Sequence, residues 1–299
     1  MGAKLRVARR RIRSVQSTKK ITRAMELIAS SRIVKAQQRV ESARPYAEQL
    51  TAAMEDVARY AGGALNHPLL AERTPARAAG VLVLTSDRGL AGAFNANVLK
   101  EAEAVIRGIR ARGVEPVIYA SGKKGIGYFR FRGVPIERQW QGHTEVPAYA
   151  NAEEIGGAVI ADYAAGRIDE LHCAYTDFRS AFTLRATAKR FLPIAPEEVA
   201  GEGGPRALHP EYLFEPAPTE ILDFLLPQYL VTKIYAALLE SAASENASRR
   251  RAMKAATDNA EELMKILTRQ ANRARQDEIT TEIMEIVGGA EALAVESEG

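Results

Sequence analysis

Two glycine-rich stretches are the first places where this chain could do chemistry. In "SDRGLAGAFN", Gly89 and Gly92 follow a continuous apolar run, as in a strand-to-helix turn whose backbone N–H groups could cradle a phosphate. A dinucleotide site needs the spacing G-x-G-x-x-G with a matched acidic residue downstream, and this stretch supplies neither. In "GKKGIG" the glycines Gly122, Gly125 and Gly127 come with two lysines. The Lys-Ser/Thr ending that holds phosphate and magnesium in a P-loop is missing, so the sequence predicts a turn there and no nucleotide cofactor.

Metal and nucleophile chemistry find no better footing. His67, His143, His172 and His209 lie far apart, and none belongs to H-E-x-x-H or stands beside a cysteine pair, so no metal site is expected. Cys173 is the single cysteine, which excludes an internal disulfide. It lies in an alternating apolar stretch where a packed thiol is the expectation, and strand geometry would put His172 on the opposite face. No G-x-S-x-G is present. Adjacent acids such as Glu153 and Glu154, or Glu261 and Glu262, point to different sides of a helix and read as solvated positions. The sequence predicts no catalytic site.

The elements that would position such groups fall into three parts. From Leu5 to Val57 apolar residues recur mostly three, four or seven apart, among them Ile12, Val15, Met25, Ile28, Leu50 and Met54, which is the spacing of a long helix. Pro45 predicts a kink or short break near Arg44, because proline lacks the N–H and clashes with the preceding turn. Residues 61–80 contain Gly and Pro and read as a connection. In the middle, "GVLVLTSDRGLAGAFN" predicts a strand, a turn and a helix starting near Asn95 or Asn97, with Val98, Val105, Ile106 and Ile109 facing inward. "VEPVIYAS" predicts a second strand, residues 152–165 a helix, "DELHCAYTDF" a third strand and "AFTLRATAKRFLPI" an edge or antiparallel strand.

Helical rhythm returns after Pro210. Its centre, residues 241–260, is dominated by Ala, Ser and short polar side chains, which would let another helix approach closely or would suit a solvated Ala-rich helix. The expected architecture is a Rossmann-like α/β domain with a largely parallel sheet over residues 76–200, between helices spanning 1–60 and 210–290. Two very long terminal helices can bury their apolar stripes only against each other or a partner, so the expectation is an antiparallel coiled coil.

Composition, with 46% hydrophobic and 26% charged residues, is that of a folded globular chain. No run of eighteen or more apolar residues predicts a bilayer span, and no short apolar core follows the basic start as a secretory signal requires. The formal charge of +4 is unevenly spread: 28 of the 41 basic residues and 35 of the 37 acidic ones lie beyond Arg44, which leaves a basic arm on an acidic body. Composition leaves that arm open between a solvated helix face, a nucleic-acid contact, an amphipathic membrane helix and a transit peptide.

Five stretches carry a resemblance that narrows this choice. They are "RRIRSVQSTKKITRAMELIASSRIVKAQ" near the start, "LTSDRGLAGAFN" at the first strand, "YLFEP" before the last helix, and "AMKAATDNA" with "ARQDEITTEIMEIVGGAEAL" near the end. In this order and spacing, across essentially the whole chain, they resemble the gamma subunit of the F-type ATP synthase. The resemblance implies a central-stalk rotor with no active site of its own. Its terminal helices would enter a hexamer of alpha and beta subunits, its α/β domain would lie near the epsilon subunit and the c-ring, and rotation would couple proton flow to ATP synthesis.

The resemblance also assigns residues. It places Met25 near acidic levers of the beta subunits, where an uncharged flexible side chain can slide past carboxylates without a lasting ion pair. Arg275, Gln276 and Thr280 match positions that touch the alpha and beta subunits, and Tyr212, Phe214 and Glu215 match the foot that meets epsilon and the c-ring. "ITRAMELIASSR" resembles the mature start of the family, so residues 1–44 are expected to belong to the working rotor rather than to a removable peptide. Ala91 replaces a cysteine common in relatives, and the paired-cysteine insertion of the chloroplast type is missing, which implies a bacterial form without thiol switching, peripheral at the cytoplasmic face of the plasma membrane. The alternative from another class is a non-rotary coiled-coil adaptor whose basic arm binds nucleic acid. That arm has almost no aromatic residues before Tyr46 for stacking, and helix-turn-helix, RNA-recognition and zinc-finger signatures are missing.

Overall fold

The computed structural model describes residues 3–60, 67–178, 183–195, 198 and 217–297. In chain order the elements are α1 (Ala3–Tyr60), β1 (Ala78–Leu84), α2 (Phe94–Ala111), β2 (Glu115–Ser121), α3 (Lys123–Phe131), β3 (Arg138–Trp140), α4 (Tyr149–Ala164), β4 (Glu170–Phe178), β5 (Leu184–Leu192) and α5 (Pro218–Ser297). The chain divides into two compact units, Met1–Ile28 with Arg250–Gly299, and Ala29–Arg249.

The larger unit is built on a five-stranded sheet of order β3-β2-β1-β4-β5. The pairs β1–β2, β1–β4 and β2–β3 are parallel, and β5 runs antiparallel to β4 at the edge, as its alternation predicts. Both faces are covered, which explains why β1 is a continuous apolar run rather than an alternating one. Ala79, Val81 and Val83 face one cluster with Val98, Ile106 and Ile109 of α2 and Phe129 of α3. Leu82 and Leu84 face the other, with Ile155 and Val159 of α4, Leu226, Leu230 and Ile234 of α5, and Met54 and Val57 of α1. Val105 is only partly buried beside the first cluster.

Three local expectations change. The "GKKGIG" stretch is not a turn but the start of α3. Gly122 adopts φ 97° as the residue before the helix, where a Cβ would lie 2.2 Å from the Thr85 carbonyl oxygen, and Gly125 N–H donates to Thr85 Oγ1 at 2.8 Å. The glycines thus answer to contact with β1, a cue that the local sequence does not contain. Of the kink or short break expected near Pro45, the break is not there, since α1 is helical from Ala3 to Tyr60 with Pro45 inside. A proline removes one hydrogen bond at a cost of about 3 kcal/mol, and burial of Leu50, Met54 and Val57 just beyond it offsets that cost. Finally, β3 is a three-residue strand that no pattern announced.

The small residues of α5 do permit a close approach, but in this unit a strand takes advantage of it. Ser244 Oγ donates to the Thr176 carbonyl at 3.3 Å, and Ser241, Ala242, Ala243 and Ala247 are buried. By length and composition α5 contains a window apolar enough to cross a membrane, with mean hydropathy 1.3. Its residues Leu222, Leu226, Leu230 and Ile234 instead fill the core beside the sheet.

In the smaller unit the two helices run antiparallel. Lys19 Nζ meets Glu261 Oε1 at 2.6 Å, and Thr22 Oγ1 lies 2.8 Å from Thr257 Oγ1, so the partner number falls as the number on α1 rises. Met253, Thr257, Ala260, Leu267 and Ala271 are buried along α5, with the steps of four, three and seven that mark a coiled-coil seam.

Candidate functional site

On the smaller unit, Met25 is half-buried at the margin of the seam, next to Glu26, which is buried and accepts Arg23 Nη1 at 2.9 Å. Around it Ile21, Leu27 and Ile28 are more than half exposed, at 58%, 58% and 53%. Outward-facing apolar side chains in such number mark a surface that something else covers. On α5, Arg275, Gln276 and Thr280 are exposed, and Thr280 Oγ1 donates to the Gln276 carbonyl at 3.0 Å. Ile279, Ile283, Met284 and Ile286 are exposed on the same stretch. Helical rise separates Met25, level with Met253 and Thr257, from the Arg275 cluster by roughly 30 Å, so the expected residues form two stations on one shaft rather than one site. Tyr212, Phe214, Glu215 and His209 lie outside the described residues.

In the larger unit the loop after β1 occupies the position where open α/β sheets usually hold ligands, at the carboxyl ends of strands beside the switch between β1 and β4. Here the chain fills that position itself. The Asp87 carboxylate accepts Lys123 N–H at the start of α3 (3.1 Å), Gly142 N–H (2.7 Å), Thr144 N–H (3.3 Å) and the Thr144 hydroxyl (3.1 Å). An internal anion thereby takes the donors that a phosphate would need. Ser86 N–H donates to Asn95 Oδ1 at 2.9 Å, and Ser86 Oγ donates to the Arg88 carbonyl at 2.6 Å, which fastens the loop to α2. Leu90 and Gly92 take positive φ values of 62° and 56° to close it.

A polar network missed in the sequence fastens the same loop to the long helices. Glu145 is met by Arg32 of α1 at 2.7 Å, Arg88 of the loop at 3.5 Å and Arg249 of α5 at 3.9 Å. Arg249 also holds Glu245 one turn back at 2.6 Å and reaches the Gly89 carbonyl at 3.3 Å. Burial pushes the Glu245 carboxyl up, and Arg249 pulls it back toward ionisation. The only sequence cue was the Glu245–Arg249 spacing of four within an Ala- and Ser-rich helix; the other members come from distant segments.

The remaining candidates are structural. Burial in the core pushes the Cys173 thiol up, away from reactivity. His172 Nε2 is 3.0 Å from Glu170 Oε2, His143 Nε2 is 3.1 Å from Ser121 Oγ, and His67 Nδ1 accepts Leu69 N–H at 3.0 Å. Among the described residues no cluster of three His, Cys, Asp or Glu could hold a metal.

Comparison with known proteins decides what kind of shaft this is. A family model described as ATP synthase matches residues 4–293. The ATP synthase gamma chain of Acidothermus cellulolyticus is 55% identical over 300 residues, which cover 98% of both chains. The chain belongs to the ATP synthase gamma-chain family. The gamma chain of Thermobifida fusca is likewise 55% identical, over all of this chain and 99% of that one. The gamma-chain architecture is met again among solved structures. A chain of the Euglena gracilis mitochondrial ATP synthase in rotational state 3 superposes with a TM-score of 0.67 at 17% identity, covering 100% of this chain and 97% of that one. A chain of the Tetrahymena thermophila mitochondrial ATP synthase central stalk and c-ring gives 0.61 at 23% identity, covering 79% and 99%. These relatives lend no support to the nucleic-acid adaptor.

Proposed function

We propose that this chain is the central-stalk rotor of a proton-translocating F-type ATP synthase, turning between a c-ring and a hexamer of alpha and beta subunits. It is a non-catalytic subunit and transmits angular position rather than chemistry. The observation that carries this reading is the antiparallel coil of the smaller unit, whose seam of alanine, threonine and a few larger residues is narrow while Ile21, Leu27, Ile28 and Ile283 face outward. At roughly 25 cal/mol per Å² of buried apolar surface, such a seam gains little for the residues it orders, and an enclosing hexamer supplies the rest.

In this reading Met25 passes the acidic levers of the beta subunits, while Arg275, Gln276 and Thr280 contact the alpha and beta subunits further along the shaft. Tyr212, Phe214 and Glu215 form the foot against epsilon and the c-ring. The complex is membrane-associated, and the chain works as a peripheral subunit at the cytoplasmic face of the bacterial plasma membrane, a placement supported by its bacterial relatives.

The test is Met25→Lys in the complete enzyme reconstituted into vesicles, with Met25→Leu as the volume control. A lysine facing the levers forms an ion pair that a close interfacial charge pair can strengthen by about 1.5 to 7 kcal/mol. Stabilising one resting angle by about 2.7 kcal/mol slows passage roughly a hundredfold. Proton pumping per ATP should fall with the lysine and hold with the leucine. Equal coupling and turnover in the two variants would remove Met25 from the levers.

A further inference from the structure

Within the larger unit, α1, α4 and α5 enclose a cleft of about 360 Å³ that the rotor reading leaves unexplained. Its wall is apolar and aromatic. Val40 of α1 and Leu239 of α5 supply aliphatic surface, and Tyr46, Tyr149 and Tyr235 supply three rings, one from each helix. The Tyr149 ring meets Tyr46 edge-on at 6.3 Å and Tyr235 at 5.4 Å between centroids. The Tyr149 hydroxyl donates to Gln228 Oε1 at 3.0 Å, so its polar tip is already satisfied.

Arg44, Thr232 and Glu240 are the polar side chains besides the tyrosines, and Glu240 is the acidic one. Glu240 contributes a carboxyl whose Oε2 is buried and has no hydrogen-bond partner among the described residues. Its surroundings hold one more acid than base at close range: Asp177 of β4 and Glu240 itself act against Lys189 of β5, and burial together with Asp177 pushes the Glu240 carboxyl up to about 7. Arg44 at the cleft is exposed and paired with Glu48 at 3.7 Å, so among the described residues Lys189 is the one base that acts on Glu240 at close range. The Phe178 backbone and the Asp177 carboxyl hydrogen-bond the Glu240 carboxyl, so it is Oε2 alone that faces the cleft without a partner, and a cation delivered to that oxygen would favour its charged form in a setting where charge-assisted hydrogen bonds are strong. Aromatic rings around the approach suit the same guest, because their faces attract cations and their area suits hydrocarbon.

We propose that this cleft is a binding site for a hydrophobic amine, whose aryl or alkyl chain lies among the three tyrosines and Leu239 and whose ammonium meets Glu240. The volume falls in the range of small-molecule pockets, about 300 to 1,000 Å³. An occupant would touch α1, α4 and α5 at once and so tie both long helices to the sheet domain.

The probe is 4-phenylbutylamine, titrated calorimetrically into the full-length chain beside 4-phenylbutanol and 4-phenylbutyrate, which share its hydrocarbon body. The amine should bind saturably and about tenfold or more tighter than the alcohol, with the carboxylate weakest. Glu240→Gln should reduce the amine to the affinity of the alcohol while leaving the alcohol unchanged. Ala43→Phe, which fills the cleft from α1, should abolish binding of both and keeps the test intact if the glutamine variant does not fold. Equal affinity for amine and alcohol, a preference that survives Glu240→Gln, binding that survives Ala43→Phe, or no saturable binding at all would each overturn the proposal.

Discussion

The hydroxyl oxygens of Thr22 and Thr257 lie 2.8 Å apart across the antiparallel coil, although 235 positions separate them in the chain. Each is also within reach of a carbonyl on its own helix, Thr22 of Lys19 at 3.1 Å and Thr257 of Met253 at 2.9 Å. Two hydroxyl protons are available for three contacts, and two oxygens held at 2.8 Å call for one of those protons to be donated across the seam. Thr22→Val and Thr257→Val should each destabilise the helices by about 1 kcal/mol, whereas the double variant should cost much less than the sum, because no polar group is then left without its partner. Urea titrations followed by helical circular dichroism measure the cycle. Strict additivity would mean that the hydroxyls do not bond across the seam.

Asp87 offers a second test, because it does for the sheet domain what a bound anion does elsewhere. Asp87→Ala leaves the N–H groups of Lys123, Gly142 and Thr144 without their acceptor and should cost roughly 2 to 4 kcal/mol. Millimolar sulfate should recover part of the lost melting temperature in the alanine variant and leave the parent unchanged. A variant as stable as the parent would show that the carboxylate is not the anchor of this loop.

All strands but β3 were legible, because burial on both faces writes β1 as an uninterrupted apolar run and leaves β5, at the edge, alternating. The helix at Lys123–Phe131 was not, because Gly122 and Gly125 are required by Thr85 some forty residues earlier, and a glycine alone looks like a turn. Pro45 does not break α1 for a similar reason: local propensity counts the missing hydrogen bond but not the burial of Leu50 and Met54. Of the candidate site, physics alone indicated a shaft with an apolar stripe. Met25, Arg275, Gln276 and Thr280 came from resemblance, since nothing in their types or spacing singles them out. The Glu145 network was invisible because ion pairs between distant segments have no sequence period.

Acid should loosen the sheet domain through two carboxylates. Asp162 is buried, which alone would push it up, but hydrogen bonds from Arg138, Arg167 and Tyr119 hold it at about 2. Glu170 is held at about 2 mainly by its paired bonds to Arg112, at 2.9 and 2.7 Å, against the pull of burial. Both native values lie below the ordinary carboxylate range, so the unfolded chain takes up protons first and stability falls as pH drops from about 4 toward about 2. Asp162 accounts for about 2 kcal/mol of that loss. Chemical denaturation between pH 5 and 2 should show a shallower slope for Asp162→Asn than for the parent. Parallel curves would mean that Asp162 does not titrate in this window.

Helices α4 and α5 cross closely on the sheet face at Gly156 of α4. A Cβ placed there would come within 2.8 Å of Val231 Cγ2 on α5, closer than packed carbon atoms tolerate, with the Val231 Cα in ordinary contact at 3.6 Å. Alanine at this position gains about 1 kcal/mol of helix propensity over glycine but must push the helices apart, and leucine must push them further. Overpacking of a filled core costs about 1 to 3 kcal/mol. Gly156→Leu should therefore lose stability despite its better helix propensity, Gly156→Ala should lie between it and the parent, and Gly156→Ala combined with Val231→Ala should recover much of the loss. Gly157, one residue on, has nothing within 4 Å of a built Cβ, so Gly157→Ala should stabilise the domain by about 0.5 to 1 kcal/mol. The contrast between neighbours isolates packing from propensity, and thermal melts of the four variants measure it. Stabilisation of the same size at both glycines would show that α4 and α5 do not cross as closely as Gly156 and Val231 require.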